Sequence, residues 1–351
     1  MRIALLAPVA LPVPPMGYGG TEVIVHLLAE GLVARGHEVT LFATGDSLTS
    51  AKLSFLFPQG LLKEGVSRKN ELFLLEAAHV SRALKKAGEF DVVHDHTKAL
   101  GTILSDFIET PCLTTIHNDF TLERRGIYQA HPEHAFVSIS QAQARRCPSL
   151  RFLGTVYNGI ALEPIPFQEK KEDYLLFLGR ISRDKGPDAA IRAAMETNSP
   201  LILAGKVEDE DYLRALLPSI DGTRIRYVGE VGGRLKWRLL AGARALLFPI
   251  RWDEPFGLVL IEAMACGTPV ISLDRGAARE VVAHGRTGLV LDKEGDLAEA
   301  ILRLGEFDPF DCRHWVAEHF SASKMVDRYL EVYKRAIADE RIEGHFFPPS
   351  E

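Results

Sequence analysis

The feature that most constrains this chain is an alternation. Brief apolar runs of β character, each followed by a loop and a stretch with helical spacing, recur in two series. RIALLAPVA, HEVTLFATG, DVVHDH, CLTTIHN and HAFVSIS make up the first. Strands separated by helical crossovers pair in parallel, because every connection has to cross the sheet before the next strand begins. Between the first two runs, TEVIVHLLAEGLVARG sets Ile24, Leu27, Leu28, Gly31 and Leu32 at helical spacing, and Gly36 closes the helix. The second series is YLLFLGR, PLILAGK, TRIRYVGE, ALLFPI, PVISLD and GLVLD. Gly159 to Asp173, rich in proline and charge and without a period, reads as a linker. The expected fold is α/β, with two doubly wound Rossmann-like domains, residues 1–158 and 174–320, around a linker over 159–173. Residues 321–351 open with an amphipathic segment at Ser321 and end in EGHFFPPSE, expected to fray. At 351 residues, two domains of ordinary size are also what chain length suggests. Ligands in such sheets sit at the carboxyl ends of strands, so a cleft between facing domains is the expected site.

Charge narrows the function classes. The formal net charge is −6, and residues 1–160 hold 15 of the 41 basic and 15 of the 47 acidic side chains, so the negative excess lies in the second half. A nucleic-acid binder needs a basic face, and attachment to an anionic membrane by charge alone needs a basic cluster. Arg124, Arg125, Arg145, Arg146 and the Lys85-Lys86 pair read as solvated faces. Cys112, Cys147, Cys266 and Cys312 have no CxxC spacing and read as reduced thiols, with neither a zinc site nor a disulfide framework. Prolines interrupt the apolar N-terminus MRIALLAPVALPVPP, so neither an export signal nor a membrane span is expected there, and the expected compartment is the cytoplasm.

Four motifs carry chemistry. In GYGGTE, Gly19 and Gly20 leave room for close backbone approach at a helix start, which suits a phosphate; a plain strand-to-helix loop is the alternative. The motif lacks the dinucleotide fingerprint, although Asp46 follows the second strand as an acidic residue would in a nicotinamide site. LGRISRDKG places Arg180 and Lys185 around a turn at a strand's carboxyl end, where a guanidinium and an ammonium together neutralise a diphosphate; a solvated basic turn is the bland reading. Lys206 at the end of the next strand is a weaker cation of the same kind, and the acidic run after it reads as a solvated face. In RWDEPFGLVLIEAMACGTPVI, Pro255 suits the first turn of a helix, and the amides of Phe256, Gly257 and Leu258 are expected to face an oxyanion. Glu254 and Glu262 then lie roughly 10 to 15 Å apart, too far for a glycosidase carboxylate pair. That separation fits a ligand with two polyhydroxy ends and a phosphate bridge. Histidines at strand ends, His94 to His96 and His117, can donate to a substrate oxygen or carry a proton; a structural role or, with three imidazoles, a metal are the other readings. Tyr157 to Ile160, YNGI, puts a turn at the domain junction.

GYGGTE, HEVTLF, DVVHDH, TTIH, VSIS, YNGI, LGRISRDKG, GEVGG, EPFGLVLIEAMACGTPVI and HGRTGLVLD, in that order, resemble the retaining GT-B glycosyltransferases of family 4 over nearly the whole chain. The resemblance implies transfer of a hexose from a nucleoside diphosphate sugar, of UDP-glucose or GDP-mannose type, to an acceptor hydroxyl with retained anomeric configuration and no metal or other cofactor. Family members are described as reacting by front-face attack through an oxocarbenium-like state. It makes Glu254 a ligand of the donor sugar, Glu262 a ligand of the ribose, and Arg180 and Lys185 a diphosphate clamp. His117 meets an outer sugar hydroxyl, the backbone at Val231 faces the base, Gly19 and Gly20 approach the phosphates from the other domain, and the C-terminal helix crosses back to domain one. The acceptor, a small molecule, glycan or lipid-linked sugar, is expected on domain one near Met16, Tyr18, Asp119 and Arg124. Two departures blur the donor: Arg279 precedes Glu280 where many members have Pro-Glu, and AGKVEDED stands in place of a glycine pair. Rival readings are an epimerase or phosphorylase of the same architecture, a non-catalytic nucleotide-sugar binder and, most remote, a nicotinamide oxidoreductase.

Overall fold

Both apolar series form parallel sheets. The computed structural model describes residues 1–343 apart from Tyr18 and Ser67, so the tail after Glu343 and the acceptor candidate Tyr18 lie outside the described residues. The first sheet contains β1 (Arg2–Leu6), β2 (Glu38–Ala43), β3 (Lys52–Phe55), β4 (Val92–Asp95), β5 (Cys112–Ile116), β6 (Ala135–Ser138) and β7 (Phe152–Thr155) in the order β3-β2-β1-β4-β5-β6-β7. The second contains β8 (Leu175–Leu178), β9 (Leu201–Ala204), β10 (Ile225–Tyr227), β11 (Ala245–Phe248), β12 (Val270–Leu273) and β13 (Gly288–Leu291) in the order β10-β9-β8-β11-β12-β13. Each order reverses once, between β1 and β4 and between β8 and β11, and such a reversal opens a crevice beyond the carboxyl ends of the two strands.

The central strands are the ones legible as apolar runs, because helices cover both of their faces. β4, β9, β11 and β12 are buried at every residue, whereas the edge strands β3 and β7 have no buried residue. KLSF and FLGT therefore carry no continuous apolar run, and they add two strands to those the sequence suggests. Helix Gly20–Ala34 buries Ile24, Leu28 and Leu32, and Gly36 follows it with φ +78°.

The chain divides into two compact units, Met1–Gly159 with Ala322–Glu351, and Ile160–Ser321. Helix Ala322–Glu343 belongs to the first. Its buried Met325, Val326, Tyr329, Val332, Tyr333 and Ala336 recur at three- and four-residue intervals, so one stripe faces the core. Gly31 is the docking point: a β-carbon there would come within 2.5 Å of Val326 Cγ2. Beside it Arg35 pairs with Asp327 at 2.7 Å and donates to Ser323 Oγ at 2.8 Å.

The segment read as a linker instead packs on the second unit. Gln168 N donates to Cys266 O, Glu172 N to Gly242 O, and Lys171 Nζ to the Ala241 and Cys266 carbonyls and to Thr268 Oγ1. Lys171 thereby holds this irregular backbone on the surface of that unit. All four cysteines are reduced thiols. Among the described residues no helix is long and apolar enough to cross a membrane.

Candidate functional site

In the second unit the reversal between β8 and β11 brings two predicted residues into contact. Lys185 closes the short helix Arg183–Lys185 after β8, Glu254 lies in the loop after β11, and Lys185 Nζ stands 2.6 Å from Glu254 Oε2. The two side chains are only 13% and 17% exposed, so this ion pair is shielded from water, unlike a surface pair. Lys185 Nζ also lies 4.8 Å from the centre of the Trp252 ring. Arg251 ties the two loops together. Its backbone N–H donates to Asp184 O, its guanidinium grips Asp188 bidentately at 2.9 and 2.7 Å, and its Nε donates to Glu294 at 2.6 Å. These bonds hold the Asp188 carboxyl far below the usual carboxylate range. Gly276 seats Glu254 from the third side: a β-carbon there would lie 2.1 Å from Glu254 O, and φ is +56°. Ala277 N completes the contact by donating to Glu254 O at 2.9 Å.

Arg180, expected to share the clamp, faces acids instead. It pairs with Glu208 and, at 3.3 Å, with Asp184. Glu208 is held there by backbone, because Ile181 N donates to Lys206 O and Gly205 lets the two loops close, a β-carbon at Gly205 meeting Gly179 O at 1.8 Å. The acidic run is therefore not merely a solvated face: Glu208 partners Arg180, and Asp209 caps helix Glu210–Leu216 by accepting from Tyr212 N at 2.8 Å. Lys206 is exposed, and Val231 is half-exposed two residues before helix Gly233–Gly242.

Pro255 does not start a helix. The helix runs Leu258–Ala265, with Gly257 as its N-cap at φ +83°, a left-handed conformation that glycine adopts without strain. Pro255 and Phe256 stay in the loop because Phe256 is buried against Phe320, ring centres 5.8 Å apart, which turns the chain before helical bonding begins. No side chain caps this helix, so its first amides depend on another partner. Glu262 lies in its second turn, paired with Lys236 at 2.5 Å, so the two predicted carboxylates are held by different lysines. Arg279 bridges Asp274 and Asp292 at 2.5 and 3.0 Å.

In the first unit the period of two splits HDH between the faces of the sheet. Asp95 points to one face, where Thr97 N donates to it at 2.9 Å and Thr114 Oγ1 at 3.1 Å; burial pushes its carboxyl up to about 7. His94 and His96 point to the other, opposite Thr115 and His117. His94 lines no site: its two nitrogens meet Tyr333 Oη and Thr115 Oγ1, each at 2.7 Å, beneath the C-terminal helix. His96 Nδ1 lies 2.8 Å from His117 Nε2. Burial pushes His117 down to about 4, and His94 and His96 well below the ordinary value, so all three are neutral near pH 7. Among the described residues no group of three or more His, Cys, Asp and Glu is placed to hold a metal.

His96, Lys98, His117, Asn118, Asp119 and Arg124 line a small pocket at the ends of β4 and β5. Lys98 stands there at φ +67°, unusual for a residue with a side chain. Asp119 is joined to Arg146 and receives Phe120 N at 2.7 Å. Met16 is 97% exposed. Gly19 precedes helix Gly20–Ala34 with φ +150°, and a β-carbon there would strike Pro15 at 2.7 Å. Glu22 is buried in the first turn of this helix, its carboxyl pushed up by burial. Asp46 accepts from Thr44 Oγ1 at 2.7 Å. At YNGI, Asn158 is buried and Gly159 N lies 3.1 Å from Met325 Sδ.

Reading by sequence overlooked Trp252, Arg251, Gly276, Lys236, Glu208 and His96's tie to His117. Only Gly276, in DRGAARE after a strand, carries a local signal; the others gain meaning from a partner distant in sequence.

The comparisons with known proteins agree with this layout. The profile of glycosyltransferase family 4 matches residues 18–163, and that of the glycosyl transferases group 1 matches residues 162–312. The phosphatidyl-myo-inositol mannosyltransferase of Mycolicibacterium smegmatis is 28% identical over 94% of this chain and 90% of that protein. A glycosyltransferase involved in avilamycin A biosynthesis superposes with a TM-score of 0.73 at 25% identity, covering 96% of this chain and 98% of that one. Sucrose-phosphate synthase from Thermosynechococcus elongatus shares the fold, with a TM-score of 0.78 at 21% identity over 96% and 99% of the two chains.

Proposed function

Because this chain belongs to the family 4 glycosyltransferases of GT-B fold, we propose that it moves a hexose from a nucleoside diphosphate sugar to an acceptor hydroxyl, with retention of configuration and without a metal in the chemistry. The observation that carries the reading is the shielded Lys185–Glu254 pair at the β8/β11 reversal. An ammonium held beside a carboxylate is a built receptor for a ligand that has an anion next to hydroxyls. A diphosphate oxygen takes Lys185, and the freed Glu254 accepts hydrogen bonds from the sugar. Negative charge grows on the diphosphate as its bond to the sugar breaks, so a cation fixed there by Trp252 and the Arg251 network stabilises the transition state more than the ground state. Arg180 joins it on exchanging Glu208 for phosphate, the uncapped amides at Leu258 add donors, and Glu262 with Lys236 serves the ribose. A hexose is supported by the mannosyltransferase among its relatives.

The test begins with thermal stabilisation by UDP-, GDP- and ADP-sugars, since a ligand that binds only the folded state raises Tm. The stabilising donor is then incubated with and without acceptors, and the anomeric configuration of the product is read by NMR. Isomerised donor in the absence of acceptor, dependence on free phosphate, or an inverted product would each overturn a stated part of the reading. Stabilisation without any turnover would leave a binding protein.

A further inference from the structure

We propose that His96 is a positioning residue that fixes the tautomer of His117, so that His117 meets its substrate as an Nδ1–H hydrogen-bond donor and not as a base. The inference deepens the reading of His117 as a substrate-facing residue and rests on it only for the activity arm of the test.

The positions of two protons decide between the tautomers. His96 follows β4 and His117 follows β5, and the parallel register that sets Asp95 opposite Thr114 brings both imidazoles to the same face. One hydrogen bond, 2.8 Å from His96 Nδ1 to His117 Nε2, joins them, with the rings stacked at 5.1 Å and inclined by 29°. Each neutral ring carries one proton, so there are two arrangements. If His117 donates from Nε2, the proton of His96 sits on its own Nε2. That atom is buried and has no partner among the described residues. The neighbouring His94, ring centres 4.0 Å apart, is no help, because it spends both nitrogens on Tyr333 and Thr115. If His96 donates from Nδ1 instead, only a ring lone pair is left without a partner, and the proton of His117 moves to Nδ1. A buried N–H lacking any acceptor is the rarer of the two defects in folded proteins. The second arrangement therefore prevails, and the remaining nitrogen of His117, in the wall of the pocket with Asn118, Asp119 and Arg124, presents a proton. A hydroxyl oxygen is the chemical class it recognises.

His117 lies at a strand end whose position is set by the sheet, so His96 adds chemistry to a geometry already fixed. Leucine at position 96 removes the constraint, while asparagine keeps an amide N–H where Nδ1–H stood.

The experiment uses the full chain labelled with 15N in its histidine rings. Two-bond 1H–15N correlation spectra near pH 7 distinguish the tautomers, and the His117 signals are assigned by their loss in His117→Gln. The expected wild-type result is a protonated Nδ1 and a bare Nε2 on His117. His96→Leu should move His117 toward the opposite tautomer, and His96→Asn should restore the wild-type one. Transfer, followed as release of nucleoside diphosphate, should fall by up to about ten-fold in His96→Leu, the worth of one neutral hydrogen bond, and recover in His96→Asn. A proton on Nε2 of His117 in the wild-type chain, or protons on both nitrogens, overturns the proposal whatever the variants do. A tautomer that moves as expected while transfer stays unchanged upholds the assignment and removes His117 from the substrate contacts.

Discussion

The two units place their candidate groups at the carboxyl ends of adjacent strands and in opposite electrostatic states. At the β8/β11 reversal the groups are charged and paired, Lys185 with Glu254 at 2.6 Å, beside Lys236 with Glu262 at 2.5 Å. At the ends of β4 and β5 they are imidazoles stripped of charge by burial and linked by a neutral hydrogen bond. A pre-paired cation costs little to keep half-buried and can exchange its carboxylate for a phosphate. A neutral imidazole suits a hydroxyl, which offers no charge to repay desolvation. The units share a strand order but differ in chemistry, one presenting paired charges and the other neutral imidazoles.

That contrast can be broken from either side. The largest effect is expected from Lys185→Met, which should lower kcat by about 10²- to 10³-fold, the usual loss when one stabiliser of a developing anion is removed. It strands Glu254, so Lys185→Met/Glu254→Gln should regain stability in urea but not turnover; recovered turnover would make the pair merely structural. Next is Gly31→Leu. With Val326 Cγ2 only 2.5 Å from a β-carbon at this position, overpacking should cost about 1–3 kcal/mol in urea denaturation. Because the displaced helix carries Tyr329 and Tyr333 over His94, transfer should fall while nucleoside diphosphate affinity, which the proposed function assigns to the second unit, stays unchanged. Equal losses in both would end the division of labour.

Acidification should separate the units more gently. His79, His94, His96, His117 and His134 are all pushed below their ordinary value by burial, so their contribution is intact above about 6.5 and is lost as pH falls below it, through about 4 for His79 and His117 and about 3 for His134. Asp95, Glu22 and Glu76, pushed up by burial, act in the opposite direction but are fewer. Amide protection in β4 and β5, corrected for intrinsic exchange, should therefore fall by on the order of 1–3 kcal/mol per pH unit below about pH 6.5, while β11 and β12 hold. Protection that rises in β4 and β5 would give the carboxyls the upper hand. The smallest expected effect is that of Glu208→Gln. Freeing Arg180 from an exposed pair should tighten nucleoside diphosphate binding by about two- to five-fold, less at high salt. The gain should vanish in an Arg180→Ala background. A weaker Arg180→Ala with no gain from Glu208→Gln would leave Arg180 in the clamp and remove Glu208 as its competitor.

Much of this was legible in the chain. PLILAGK and ALLFPI carry apolar runs because strands covered on both faces favour them, and Gly19 of GYGG marks backbone that a side chain would obstruct. KLSF and FLGT were not legible, since an edge strand half open to water needs no apolar run. Nor was the true start of the helix before Glu262, because Phe256 reaches for Phe320, 64 residues away in sequence, a contact no local propensity records.

By itself the sequence determined the alternation of strands and helices, the parallel pairing that follows from it, and the residue types gathered at strand ends, because periodicity and side-chain chemistry are local properties. Tertiary structure alone decided which of those residues meet. It gave Lys185 to Glu254 and Arg180 to Glu208, and it hid His94 under Tyr333 while leaving His96 to hold His117. The reason is physical: an ion pair or a shared proton depends on two groups coming within about 3 Å, and only strand order and crossover packing bring distant segments that close.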